Sequence, residues 1–212
     1  MTYQELCSFD TLWTAYHRAR RCKRGKKSTA PFEYSAIEEL LILSKSLLQG
    51  THQPDPLDAF YIYEPKKRLI QAPTFRDKVV QHALTDYIVY DELARSFTLN
   101  TYAAQYGKGT HYGLEMLKRH MRTYFLRRKG ADEAERKAAG LPHRPMEEWD
   151  YAEGWVLKGD FSKFFYTLLH AVCFEKARKA LAFLSDEELI DFVEWLLWIV
   201  IDSTPDPGIC LL

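Results

Sequence analysis

Two groups of side chains in this sequence are spaced to do chemistry. The first is Lys66-Lys67-Arg68, three successive cations between Ala59-Phe60-Tyr61-Ile62-Tyr63-Glu64 and Leu69-Ile70-Gln71-Ala72. Aromatic and β-branched runs on either side of a turn led by Pro65 form a hairpin signal, with the cations at or near the tip. Such a tip is either a solvated surface turn or a phosphate clamp on a movable arm. The second is Asp160, which ends the run Trp155-Val156-Leu157-Lys158-Gly159. That run reads as a short apolar strand. Strand side chains alternate, so Trp155, Leu157, Gly159 and Phe161 share one face and Val156, Lys158 and Asp160 the other. An Asp at a strand end is commonly a turn or cap residue. The sequence upstream bears on whether this one is more.

The elements that must position these groups are mostly helices. Residues 1–23 read as helical, with Leu12, Trp13, Tyr16 and Ala19 at helical spacing. Ser35 and Glu38 form a capping-box pattern ahead of Leu40, Leu41, Leu43, Leu47 and Leu48. Gly50, Pro54 and Pro56 stop that helix. Thr74, with Asp77 three residues on, opens a helix whose stripe is Val79, Val80, Ala83, Leu84, Tyr87 and Ile88. Arg76 and Gln81 are its polar residues least explained by packing, and an ion pair with Asp77 or another acid is one use for Arg76. Asn100 to His111 is a loop, and Gly107 and Gly109 around Lys108 permit close backbone approach. A helix from about Tyr112 turns Leu114, Leu117, Met121 and Phe125 inward and Lys118, Arg119, Arg122, Arg127 and Arg128 outward. Residues 129–153 read as a variable excursion carrying a short helix, Ala131 to Ala139. Helices are expected again from about Ala171 and from a second capping box, Ser185 with Glu188. The tail Ser203 to Gly208 is turn material.

Composition narrows the classes. Lys+Arg and Asp+Glu balance at 29 each, yet the signs are segregated. His17 to Lys27 holds seven Lys/Arg and no acid, whereas Ala180 to Leu212 holds seven Asp/Glu and no Lys/Arg. A basic front suggests a polyanion partner, although a solvated helix face has the same composition. Cys7, Cys22, Cys173 and Cys210 form no CxxC pair, and no His lies at zinc spacing from them, which implies reduced thiols, a cytosolic protein and no structural metal. The longest apolar patch, Trp195 to Ile201, is too short to cross a bilayer, and no signal peptide is visible.

Four stretches together resemble one family. Tyr63 to Pro73 looks like the fingers hairpin of the reverse transcriptases of bacterial retroelements, in the branch near group II introns. Phe75-Arg76-Asp77-Lys78-Val79-Val80-Gln81-His82-Ala83-Leu84 resembles that family's "RDRVVQ-A" helix. Tyr102 to His111 resembles its "SYA-R-GKGTH" loop. Leu157 to His170 resembles its palm motif A, a "DISKFFYSIDH"-like run. The resemblance covers about residues 10–210, and it rests on four motifs in order more than on any one of them.

The resemblance implies an RNA-directed DNA polymerase that adds dNTPs to a DNA primer on an RNA template by two-metal phosphoryl transfer with Mg2+. It makes Asp160 the catalytic metal ligand and gives the Phe161 carbonyl to a metal. Phe165 would be the ring under the sugar that rejects a ribose 2′-OH, with Phe164 left to core packing. Lys66, Lys67 and Arg68 would hold the incoming triphosphate, with Arg76 in the same pocket or on the template. Lys108 and His111 would touch nucleic-acid phosphates. A basic N-terminal helix presenting Arg18, Arg20, Arg21, Lys23 and Arg24 would add RNA contacts without base readout.

The implied fold is α+β and helix-rich, the fingers and incomplete palm of a right-hand polymerase. Its expected parts are a basic helical region over 1–57, fingers over 58–153 and the start of a palm over 154–212. Departures from the family bear on activity. Leu169 stands where the family commonly has Asp, and the chain holds no adjacent Asp pair for a "YxDD" hairpin. Pro207 to Leu212 looks like the approach to a motif B whose core is missing. One carboxylate cannot hold two divalent ions productively, so the chain alone is expected to be inactive as a polymerase, with a second chain or a missing C-terminal part supplying motifs B and C. The alternatives are a non-catalytic RNA-binding remnant and a helical interaction protein. A membrane partner is not expected, and the compartment expected is the cytoplasm.

Overall fold

The computed structural model describes residues 1–162 and 164–204, the side chains of Phe165 and Tyr166 excepted. It is helix-rich with one small two-stranded sheet, hence α+β at the coarse level. The backbone divides into two compact units, one of Met1–Ser96 with the described residues after 163 and one of Phe97–Ser162.

In the first unit, α1 (Tyr3–Leu6) starts from a capping box in which Thr2 and Glu5 satisfy each other's backbone N–H. Ser8 caps α2 (Phe9–Ala19), and Leu12, Ala15, Tyr16 and Ala19 line its buried face. That i, i+3, i+4, i+7 spacing is a core-facing stripe. Basic sequence does not extend the helix: α2 ends at Ala19, and Arg20 to Gly25 form turns. The basic helix expected to present Arg20, Arg21, Lys23 and Arg24 is therefore corrected to a basic turn, in which Cys22 adopts a positive φ of 60°.

Pro31 sits in the first turn of α3 (Ala30–Tyr34), where its missing N–H costs nothing. α3 runs directly into α4 (Ala36–Leu48). Ser35 between them has φ −117° and ψ 31° and makes no cap bond, so the first expected capping box does not form. Leu40, Leu43 and Leu47 of α4 pack inward, and each fully buried Leu contributes about 1.5–3 kcal/mol.

The expected hairpin is present. β1 (Asp58–Ile62) pairs antiparallel with β2 (Arg68–Ala72), with Asp58 opposite Ala72 and Ile62 opposite Arg68. Thr74 caps α5 (Phe75–Leu84) through the Asp77 N–H. α5 passes through a π turn, Thr85–Val89, into α6 (Tyr90–Ala94). Val79, Val80, Ala83 and Leu84 are buried, and α5 lies against α2. Tyr16, Phe32 and Phe75 form an aromatic cluster with ring centroids 5.2–6.1 Å apart.

In the second unit, α7 (Thr110–Ala138) is one continuous helix of 29 residues. The expected excursion with its own short helix is thus wrong at its start. Gly130 costs about 1 kcal/mol in a helix interior, too little to break so long an element. Leu114, Leu117 and Met121 do share a face, but they are exposed and α7 buries no residue, which corrects their inward assignment. The chain then turns back along the C-terminal half of α7 through a 3-10 turn, Met146–Glu148. Phe125 meets Trp149 and Tyr151 there, Asp132 bonds Arg144 and Tyr151, and Arg128 donates to the carbonyls of Asp150 and Glu153.

After residue 163, a short α8 (Phe164–Thr167) leads to α9 (His170–Leu181), close to the expected start. α10 (Glu187–Asp202) packs on α9 and buries Leu189, Val193, Leu196 and Leu197. Its cap is Asp186, one residue later than the expected Ser185. Of the tail, the part from Pro205 on lies outside the described residues. Among those described, no helix is long and apolar enough to cross a membrane.

Candidate functional site

The hairpin is largely exposed, β2 less completely than β1. Every residue of β1 is exposed, and Phe60, Tyr61, Tyr63 and Leu69 face solvent beside the cations. The Lys67 ammonium lies 4.5 Å from the Tyr61 ring centroid, close enough for a cation–π contact. Lys66 and Arg68 are exposed and have no ion-pair partner among the described residues. Aromatic faces interleaved with available cations suit a polyanion that also carries flat rings, as nucleotides do.

The root of the hairpin is constructed differently. Asp77 is 4% exposed. Its Oδ2 accepts the Asp55 N–H at 3.0 Å and stands 2.9 Å from Thr74 Oγ1. The same Thr74 oxygen is 2.9 Å from Asp55 Oδ2. Arg76 reaches Asp55 at 3.6 Å, so of its two expected uses the ion pair is the one seen, with Asp55 and not Asp77 as partner. His52, 1% exposed, points Nε2 at Asp77 Oδ1 from 3.9 Å, too far to bond, and neither His52 Nδ1 nor Asp77 Oδ1 has a hydrogen-bond partner among the described residues. Burial pushes the His52 pKa down to about 4, with Arg76 adding to the depression, and burial pushes the Asp77 carboxyl up.

The basic turn is only partly available to a ligand. Arg18 pairs with Asp86 at 3.0 Å, at the π turn. Arg20 bonds Glu33 and the Tyr16 hydroxyl and lies over the Tyr16 ring. Arg24 approaches the same Glu33 at 3.6 Å. Lys23 is half-buried, and Arg21 is exposed. Three of the five cations, Arg18, Arg20 and Arg24, are therefore committed to internal acids, a use that a count of charges along the chain does not reveal.

In the second unit, Lys108 folds back onto its own loop, with Nζ 3.3 Å from the Leu99 carbonyl and 3.4 Å from that of Thr101. His111 is exposed in the first turn of α7. Gly113 leaves room for the Tyr102 ring, which a Cβ would approach to 3.1 Å.

Trp155 to Asp160 is not a strand. The run belongs to no regular element and faces solvent, with Leu157 98% exposed, and Asp160 is exposed too. A strand is defined by a partner, and the one sheet among the described residues is the hairpin. Among the described residues, no group of three His, Cys, Asp or Glu gathers to hold a metal ion. Asp160 and the Phe161 carbonyl therefore do not by themselves fit a divalent cation. The Phe165 side chain, the expected sugar-facing ring, lies outside the described residues.

Sequence reasoning missed His52 and Asp55 altogether and credited Asp77 with opening a helix and with being one candidate ion-pair partner of Arg76. The Thr74–Asp77 spacing was the one visible signal, since Ser/Thr followed by an acid three residues on marks a helix start. Neither protein-family models nor curated proteins give a match to this chain.

Proposed function

We propose that this chain is the nucleotide- and template-gripping portion, fingers with the beginning of a palm, of an RNA-directed DNA polymerase of the bacterial retroelement type. The observation that carries the reading is the hairpin. It is an arm anchored at its root, with exposed tyrosines at its tip beside Lys66 and Arg68, which have no ion-pair partner among the described residues. An internal use for those cations would show as ion pairs, as it does for Arg18 and Arg20. The order of the four family-like stretches supports the same reading. Asp160 is its candidate catalytic carboxylate, and Mg2+ belongs to the complete enzyme.

A second reading, RNA binding without chemistry, is favoured for the chain by itself because it has no adjacent Asp pair. One experiment separates the parts. The purified chain is titrated with inorganic triphosphate and with a dNTP, and primer extension is assayed on an RNA template with Mg2+. Triphosphate binding that falls about tenfold in Lys66→Ala and again in Arg68→Ala supports the grip. No binding, or binding unchanged in both variants, refutes it. Primer extension by the isolated chain that disappears in Asp160→Ala overturns the non-catalytic reading.

A further inference from the structure

We propose that Asp77 is the positioning residue of the cationic hairpin: one buried carboxyl group ties the chain entering β1 to the chain leaving β2, and so fixes where Lys66 and Arg68 point. The functional meaning rests on the phosphate-gripping reading, but the structural test does not.

Asp55 precedes β1, and Thr74 comes after β2. The Asp77 Oδ2 atom meets the backbone N–H of the one and the hydroxyl of the other. Two five-residue strands are marginal as an isolated hairpin, and β1 is exposed along its whole length. The arm's direction relative to the core therefore comes from its root. Val79 and Val80, buried just after Asp77 on α5, anchor that root in the core.

The Thr74 hydroxyl has one proton, yet two carboxylates stand 2.9 Å from its oxygen. Thr74 satisfies one of them. The other closes the contact when it carries a proton of its own, which the Thr74 oxygen accepts. Burial assigns that proton to Asp77, since the Asp55 side chain is 38% exposed and faces Arg76. The ionisable groups around Asp77 are His52, Asp55, Arg76 and Lys78. The Asp77 contribution is present at low pH and is lost as pH rises through its raised pKa. That of His52 has the opposite sign: it is present above the ordinary histidine pKa and lost as pH falls towards about 4.

The test is hydrogen exchange of the full chain, comparing residues 58–72 with α2. Asp77→Ala is expected to speed exchange in 58–72 about tenfold and leave α2 unchanged. Asp77→Asn keeps an acceptor for the Asp55 N–H, loses only the proton given to Thr74, and is expected to restore protection to within about twofold. Wild-type protection of 58–72 should fall with rising pH across the Asp77 titration. The Asn variant should lack that component while keeping the His52 one, a difference that a purely structural role would not produce. Unchanged protection in folded Asp77→Ala, equal loss in α2, or a wild-type pH profile in Asp77→Asn each overturns the proposal. If Asp77→Ala does not fold, Thr74→Ala replaces it, with about threefold faster exchange expected and unchanged protection overturning the idea. Altered protection in a chain that binds no triphosphate would leave the role of Asp77 standing and sink the phosphate reading.

Discussion

The hairpin and the Trp155–Asp160 run look alike as sequence. Both are short, rich in aromatic and β-branched residues and marked by a charge at one end. One forms strands and the other does not. The hairpin has its partner strand a few residues further along, and its root is tied to α5. The Trp155 run has no such neighbour among the described residues: the next elements along the chain are helices, first α8 and then α9. A strand whose partner is adjacent forms from local sequence, whereas one that needs a distant partner waits for it. A strand pattern therefore specifies half of a structure, and the location of the other half decides whether it forms.

Three changes would break or sharpen that comparison. The largest effect is expected at Phe75, buried against Phe32 and Tyr16 at the foot of the arm. Phe75→Ala should cost about 3–5 kcal/mol in chemical denaturation. Leu157→Ala, in the exposed run, should stay within about 0.5 kcal/mol. A comparable loss at Leu157 would mean that the run is paired in solution and that the contrast is false.

Next is the acid limit of the return segment that precedes the run. Hydrogen bonds from Arg144 and Tyr151 hold Asp132 down to about 2. Its contribution is present above the ordinary Asp pKa and lost as pH falls towards that value. Trp149, which donates to the Arg144 carbonyl, reports this. Its fluorescence should hold down to about pH 4 and change between there and about pH 2. In Arg144→Ala the change should come at higher pH, and an unshifted transition would show that this network does not fasten the segment.

The smallest effect concerns the basic turn. Arg21 is exposed and Arg20 is internally bonded. Arg21→Ala should lower the salt dependence of single-stranded RNA binding by about 0.7 in log–log slope, without a change in melting temperature. Arg20→Ala should lower the melting temperature instead. Equal salt slopes in both variants would mean that the cluster works as a diffuse field and that its internal bonds carry no weight.

What was legible depended on the range of the forces involved. The α2, α5 and α10 stripes were readable because helical burial repeats every three or four residues. The hairpin was readable because its turn is local. Arg18 and Arg20 read as nucleic-acid contacts because a run of cations shows charge and hides partners: Asp86 and Glu33 lie elsewhere in the chain. The inward face given to Leu114, Leu117 and Met121 was right as periodicity and wrong as burial, since spacing says which residues share a face and not what covers it.

By itself the sequence determined most of the helices, the cap at Thr74, the cap of α10 to within one residue, and a hairpin with three cations at or near its tip. Each of those arises from interactions among residues near one another along the chain. Tertiary structure alone decided which cations remain available, that Asp77 with His52 beside it forms the root of the arm, and that Trp155 to Asp160 lies open. These outcomes depend on which distant groups meet, and on the cost of leaving a buried charge or a backbone edge without a partner.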